Sequence, residues 1–473
     1  MNFRNYVKNF RPFTAICDCS FGRKVIYTNQ TLIDETNIVS ELNNALGIHN
    51  QNAAEIRYLD NYYRGDQPIL YRHKKNRPEV NNKVVVNVAQ YVVDTLAAEM
   101  TGEPIQYVLR GTDETKSNEI KELNTMMYSL SKDYYDTELA RWRLICGTAY
   151  RYIGRADEEE GEAPFTIYDE DPRETFVVYF GNTKRPAFSV QMRCDEEGDT
   201  VYNVYTRSQF FLIKDSEILE TSINGNGFIP VIEYPNNIRR LSAIEITITL
   251  TDEINKLSSD RANAVEQYVC SWIKFINCEI DIERFRELRE EGFFSVTTNE
   301  GSSTNSDVDI MSQELNQSET QVEIDDLFNK LLVIQGIANR EGNTGGDTGN
   351  AVMLRNGHYD SEKHAELNEP IFKRSEREML KVVLRILRIE YGFGLKVGDI
   401  EIKISRSKLD NALTKAEVLQ ILLNCGINYS RAIKTVQLFS DPEQVAVESK
   451  ERMEMLYPNT KEEAELTDGT TED

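Results

Sequence analysis

The chain is short of positive charge. Its 473 residues carry 54 Lys and Arg against 78 Asp and Glu, a formal charge of −24. Grip on nucleic acid comes from cations that neutralise phosphates, so a tight DNA- or RNA-binding protein is disfavoured. Long apolar runs are missing too. No stretch approaches the ~18 residues of a membrane-spanning helix, so no membrane contact is expected. The basic start MNFRNYVKNFRPF has no apolar run after it and does not read as a secretory signal. Seven cysteines are scattered at 17, 19, 146, 194, 270, 278 and 425. An odd number without a secretory context argues against a disulfide framework and for reduced thiols. Cys17 and Cys19 sit too close for C-x2-C zinc spacing, and no second pair follows. His358 and His364 are six apart and do not share a helix face, so they do not read as a metal pair. A phosphate cradle is tempting at Arg340–Asn350, with four glycines in eleven residues. The Walker pattern needs a Lys after the glycines and a helix opening behind them. Here no Lys follows, and a helix precedes the loop. No catalytic, cofactor-binding or metal-binding residue is therefore expected. A metal-dependent nuclease or an NTPase is the alternative class, and it lacks its carboxylate cluster or Walker loop.

What is present is a succession of helical and strand patterns, enough for about three modules. Charged residues make up 28% and hydrophobic ones 40%, which fits a chain with much surface. Arg4, Lys8, Arg11, Arg23 and Lys24 mark residues 1–35 as a basic terminal arm. Thr36 to Tyr63 and Asn118 to Tyr152 read as helical stretches. From Gly161 the pattern changes to short strands. Phe188, Val190 and Met192 alternate with polar positions, and turn residues separate Val201–Tyr205, Phe210–Ile213 and Ile218. This is an antiparallel meander. From Glu245 to Cys270 a helix ~39 Å long is expected, with Ile254, Leu257 and Val265 as its apolar series. A second helix carries Phe328, Leu331 and Ile334 on one stripe. From Glu290 to Asn329 there are ten carboxylates and no Lys or Arg, a solvated acidic block. Residues 351–391 are helical with Pro370 inside, so a kink or break is expected near Leu367–Pro370. Ile400–Ile404 alternates as a strand. Leu413–Leu423, Tyr429–Leu438 and Pro442–Leu456 read as three helices. The tail from Lys461 holds six acids and one Lys and should be disordered. Helices with an antiparallel meander make the fold class α+β.

Four parts of this series resemble one known family. They are NYYRGDQPI with NNKVVVN, the helix INKLSSDRANAVEQY, the Gly-rich loop, and the helical run LTKAEVLQILLNCGINYSRAIKTVQLFSDPEQVAVESKERME. Together they resemble the portal proteins of long-tailed double-stranded-DNA bacteriophages, the head–tail connectors found in phages of Gram-positive bacteria. The resemblance runs from about Thr36 to Met455. It implies a portal fold with an N-terminal arm (1–35), a wing (36–240), a first stem helix (241–271), a clip (272–317) and a second stem helix (318–340). A tunnel loop (341–350), a long kinked helix with a wing strand (351–407), a crown (408–460) and an acidic tail (461–473) follow. It places Arg340, Asn343, Thr344, Gly345, Gly346, Asp347 and Thr348 at the channel. Asp307, Asp309 and Glu314 would form an acidic clip face, and Ile254, Leu257, Val265, Phe328, Leu331 and Ile334 would pack the stem. The resemblance also implies a homo-oligomeric ring, dodecameric in the virion, at the capsid portal vertex and assembled in the host cytoplasm. Expected partners are the major capsid and scaffolding proteins, the terminase large subunit, a head-completion or adaptor protein, and double-stranded DNA passing without sequence-specific binding.

Overall fold

The structure is a computed structural model. It describes residues 21–75, 78–111, 113–156, 163–225, 227–269, 272–276, 307–311, 317–338, 358–404 and 412–436, with isolated positions from 438 to 452. Among these residues the helices are α1 (Ile38–Tyr63), α2 (Val88–Thr101), α3 (Glu114–Ser129), α4 (Lys132–Cys146), α5 (Ala243–Val269), α6 (Gln317–Gln335), α7 (His358–Glu390), α8 (Ala412–Asn424) and α9 (Tyr429–Val436). The strands are β1 (Ile26–Thr28), β2 (Gln106–Leu109), β3 (Thr148–Arg155), β4 (Phe165–Glu170), β5 (Thr175–Phe180), β6 (Pro186–Cys194), β7 (Thr200–Thr206), β8 (Gln209–Lys214), β9 (Glu217–Ile223), β10 (Val231–Pro235), β11 (Trp272–Ile276), β12 (Asp307–Met311) and β13 (Ile400–Lys403). The fold class is α+β.

The chain divides into two compact units. One draws on Asn61–Tyr91 and Ile246–Asp360, the other on Pro12–Asp60, Val92–Glu245 and Ser361–Asp473. In the second unit the expected antiparallel meander is β5 to β9, part of a six-stranded sheet in the order β1-β5-β6-β7-β8-β9. Phe176, Val178, Phe188, Val190, Val204 and Phe211 line its core with Ile38 and Leu42 of α1. A second core packs Leu123 and Met127 of α3 and Ile153 of β3 against Phe372, Met379, Val383 and Leu387 of α7.

Several boundaries differ from the sequence reading. Asn118 to Tyr152 is not one helix. Ser131 has φ +52° and separates α3 from α4, and Gly147 at φ +81° ends α4. A Cβ on Gly147 would lie 2.0 Å from the Arg240 carbonyl oxygen, so glycine is required there. The β-branched and aromatic run after it then starts β3, well before Gly161. Residues 21–35 are not a free arm. β1 pairs in parallel with β5, and Arg23 is buried against Glu55 and Glu245. Among the described residues α6 stops at Gln335, short of Arg340. Gly336, at φ +68°, donates to the Val333 carbonyl at 3.1 Å, and Ile337 donates to that of Leu332 at 2.9 Å. This is a Schellman stop. α7 continues through Pro370 without a break. Pro370 and Glu366 are exposed, so water can reach the Glu366 carbonyl that the proline leaves without a donor. Residues 1–20 of the expected arm, most of the expected clip, the tunnel loop, most of the third crown helix and the acidic tail lie outside the described residues.

Candidate functional site: a helix pair and the segment that binds it

α1 ends in the Tyr-Tyr-Arg-Gly-Asp turn. Gly65 at φ +95° donates to the Tyr62 carbonyl at 3.1 Å, and Asp66 donates to that of Asn61 at 2.9 Å. Gln67, fully buried, then donates from Nε2 to the Tyr62 carbonyl at 3.1 Å and to Asn87 Oδ1 at 3.0 Å. Asn87 Nδ2 donates to the Tyr63 carbonyl at 2.9 Å. These contacts bring the extended stretch Asn-Asn-Lys-Val-Val-Val-Asn back beside the helix end.

That stretch is bound by a row of polar side chains on α5. The backbone N–H of Asn82 donates to Asn263 Oδ1 at 2.6 Å, that of Val84 to Ser259 Oγ at 2.9 Å, and that of Val86 to Asn255 Oδ1 at 2.7 Å. Every second residue of an extended chain advances ~6.7 Å, and every fourth residue of a helix ~6 Å. The two periods match closely enough for three successive bonds, and the two segments run antiparallel. Asn255, Ser259 and Asn263 are all buried. Asn255 also donates from Nδ2 to Gln67 Oε1 at 2.5 Å.

The opposite side of α5 meets α6. Gln335 Nε2 donates to Thr247 Oγ1 at 2.9 Å, and Arg261 Nη1 donates to Gln321 Oε1. Both pairs fit one antiparallel register, which sets Ile254 opposite Phe328. Ile254 and Leu331 are buried, Leu257 and Phe328 are half-buried, and Val265 and Ile334 are exposed. Phe328 lies with its ring 6.2 Å from that of Tyr91. The apolar series expected to pack the stem is thus divided between inner and outer surfaces. Beyond the helices β11 and β12 pair antiparallel from Trp272 with Met311 to Ile276 with Asp307. Asp307 and Asp309 hold alternate positions of β12, with Asp309 at the register position of Lys274. Glu314 and the Gly-rich residues Arg340 and Asn343 to Thr348 lie outside the described residues.

In the other unit a buried ionic network anchors α7. Glu376 is fully buried. It accepts from Lys132 Nζ at 2.8 Å, Tyr107 OH at 2.5 Å and Tyr234 OH at 2.7 Å. Asp136 bridges Lys132 and Arg151, each at 2.7 Å, and Arg151 Nε reaches Asp169 at 2.9 Å. Burial pushes the Asp169 carboxyl up to about 6, against the pull of Arg151. Burial alone would also raise Glu376, but Lys132 and Arg151 hold it below the ordinary value. A further carboxylate group, Asp195, Glu197 and Asp199, converges on Lys214 Nζ at 2.7, 3.6 and 2.9 Å.

The family model described as "Phage portal protein, SPP1 Gp6-like" matches residues 42–456. The chain belongs to this family of phage portal proteins. Its fold is the portal fold, and the family is structural and non-enzymatic. No curated protein matches the chain. One similar solved structure is titled "Neck of empty GTA particle computed with C6 symmetry". The two share 12% identity over 74% of this chain and 90% of that one, with a TM-score of 0.47.

Sequence reasoning looked for apolar stripes and passed over Gln67, Asn255, Ser259, Asn263 and Glu376. The three α5 residues carried a signal: Asn, Ser and Asn recur at four-residue steps inside an amphipathic pattern. Glu376 carried none, because one acid in a charged helix reads as solvated.

Proposed function

We propose that this portal subunit forms a ring at one capsid vertex, and that double-stranded DNA enters and leaves through the ring's channel. In this reading α5 and α6 are the stem, and β11 and β12 open the clip. Residues 36–240 form the wing, 341–350 the tunnel loop and 408–460 the crown. The acidic face at Asp307, Asp309 and Glu314 docks the terminase large subunit and later the head-completion protein. Capsid and scaffolding proteins meet the ring's outer surface. A net charge of −24 suits a channel protein, because cations along the bore would hold phosphates and stall sliding DNA.

The observation that carries this reading is the outer surface of the helix pair. Ile254 and Leu331 fill its inner seam, yet Val265, Val322, Val333 and Ile334 stay exposed, Val333 at 74%. Apolar residues left open along paired long helices fit burial by neighbouring subunits. At micromolar concentration the purified protein should sediment as a large ring, with an open centre in electron micrographs. A stable monomer with no ring fraction under any salt condition would overturn the proposal.

A further inference from the structure

α5 is covered on two sides by parts of opposite charge. Thr247, Ile254 and Arg261 mark the side that meets α6, and Asn255, Ser259 and Asn263 mark the side that holds residues 82–86. At 100° per residue the two sides lie about 140° apart around the helix. α5 is therefore a middle layer between the extended segment and α6.

The segment side carries Arg72, Lys74, Lys75 and Lys83. Arg72 and Lys74 share Asp260, at 2.6 and 3.7 Å, while Lys75 and Lys83 are exposed. Asp66, Glu79 and Glu266 lie on the same side. The outer face of α6 carries Glu319, Glu323 and Asp326, all exposed, against Lys330, which pairs with Asp326 at 2.6 Å. In the α5–α6 register the α6 acids stand level with residues 256–263 of α5, where Ser259 and Asn263 hold Val84 and Asn82. The positive and negative edges thus lie at the same height on opposite sides of one helix. Each edge also presents exposed apolar groups: Leu70, Tyr71 and Val86 on the first, Val322 and Val333 on the second.

A head-to-tail contact between copies joins unlike edges, and its repetition makes a ring where the rotation closes. We infer that the basic edge at Lys75 and Lys83 of one copy docks on the acidic outer face of α6, at Glu319 and Glu323, of a second copy. This inference rests on the ring reading above and names the seam that holds the ring. Apolar contacts form its centre, and the charges select partner and register.

The test compares wild type with two charge reversals, Lys75→Glu with Lys83→Glu, and Glu319→Lys with Glu323→Lys. Each pair should raise the half-assembly concentration by about tenfold or more at low salt. The difference should shrink in 1 M salt, where the screening length falls to about 3 Å. An equal mixture of the two variants restores both charge pairings, and rings should return, which also shows that the variants are folded. Variants that assemble like wild type would overturn the seam while leaving the ring reading intact. Lost assembly that mixing does not restore would overturn the seam as well. A wild-type chain that forms no ring would bring down the ring reading, and the seam with it.

Discussion

The polar row on α5 makes a residue-by-residue prediction. The N–H groups of Asn82, Val84 and Val86 are bonded to α5, while those of Lys83 and Val85 have no hydrogen-bond partner among the described residues. Hydrogen exchange should therefore alternate along this stretch, slow at 82, 84 and 86 and fast at 83 and 85. Asn255→Leu keeps the branched, four-heavy-atom outline of the side chain and removes two bonds, from the Val86 N–H at 2.7 Å and to Gln67 Oε1 at 2.5 Å. A buried polar group left unpaired costs roughly 1–3 kcal/mol. Two such groups would cost about 2–6 kcal/mol, but Val86 is 37% exposed and water can reach its N–H, which favours the lower end. At about 1.4 kcal/mol per tenfold, protection of Val86 should fall roughly 30- to 100-fold. Ser259→Ala removes one acceptor and should lower protection of Val84 by about tenfold. The assay is deuterium exchange read at single-residue resolution. Equal exchange at 83 to 86 in wild type, or unchanged exchange in Asn255→Leu, would refute the ladder.

Two further substitutions test buried charge. Glu376→Gln removes an acid shared by Lys132, Tyr107 and Tyr234 and leaves Lys132 and Arg151 with fewer counter-charges. Breaking a buried pair costs about 3–5 kcal/mol, so the urea midpoint of the unit that contains α7 should drop clearly; a change under about 1 kcal/mol would show that the network is dispensable. Asp252 accepts from Tyr62 OH at 2.9 Å, and burial pushes its carboxyl up from 3.8 to about 6. Its folded form binds the proton more tightly than the unfolded chain, so its contribution is complete below about 4 and is lost as pH rises through about 6. Asp252→Asn should therefore be more stable than wild type at pH 8, by on the order of 2 kcal/mol, with the gain fading toward pH 4. A melting-temperature difference that stays constant across that range would contradict the argument.

Periodicity made the long elements legible. Ile254 and Leu331 sit where the helical stripes put them, and Phe188, Val190 and Val204 sit where alternation put them. Boundaries set by tertiary contact were not legible. The end of α4 depends on Gly147 meeting the Arg240 carbonyl, a residue 93 positions away in sequence. The early stop of α6 is written locally, in Gly336, although the apolar stripe of Phe328, Leu331 and Ile334 continues past it to Ala338. Residues 21–35 looked like an arm because their basic residues suggested solvent. Arg23 instead pairs with Glu245, which also caps the start of α5 by accepting from the Ser242 N–H at 2.8 Å. Composition cannot distinguish a buried, paired cation from an exposed one.

The largest gap between sequence and structure lies in what holds α5. Hydrophobic burial is non-directional, and a helix packed only on apolar side chains loses little by slipping a fraction of a turn. The bonds from Asn255, Ser259 and Asn263 are directional. Moving the extended segment by one residue would place the N–H groups of 83 and 85 where acceptors now meet 82, 84 and 86, and would turn the bonded edge away from the helix. The polar row therefore fixes register to a single residue. In a closed ring the angular error of one subunit is repeated by every other copy, so small slips add up around the circle. A seam built from the segment on one side of α5 and α6 on the other joins faithfully only if both stay fixed to the same helix. The buried polar row does what an apolar stripe cannot, by making the distance between the two edges the same in every copy.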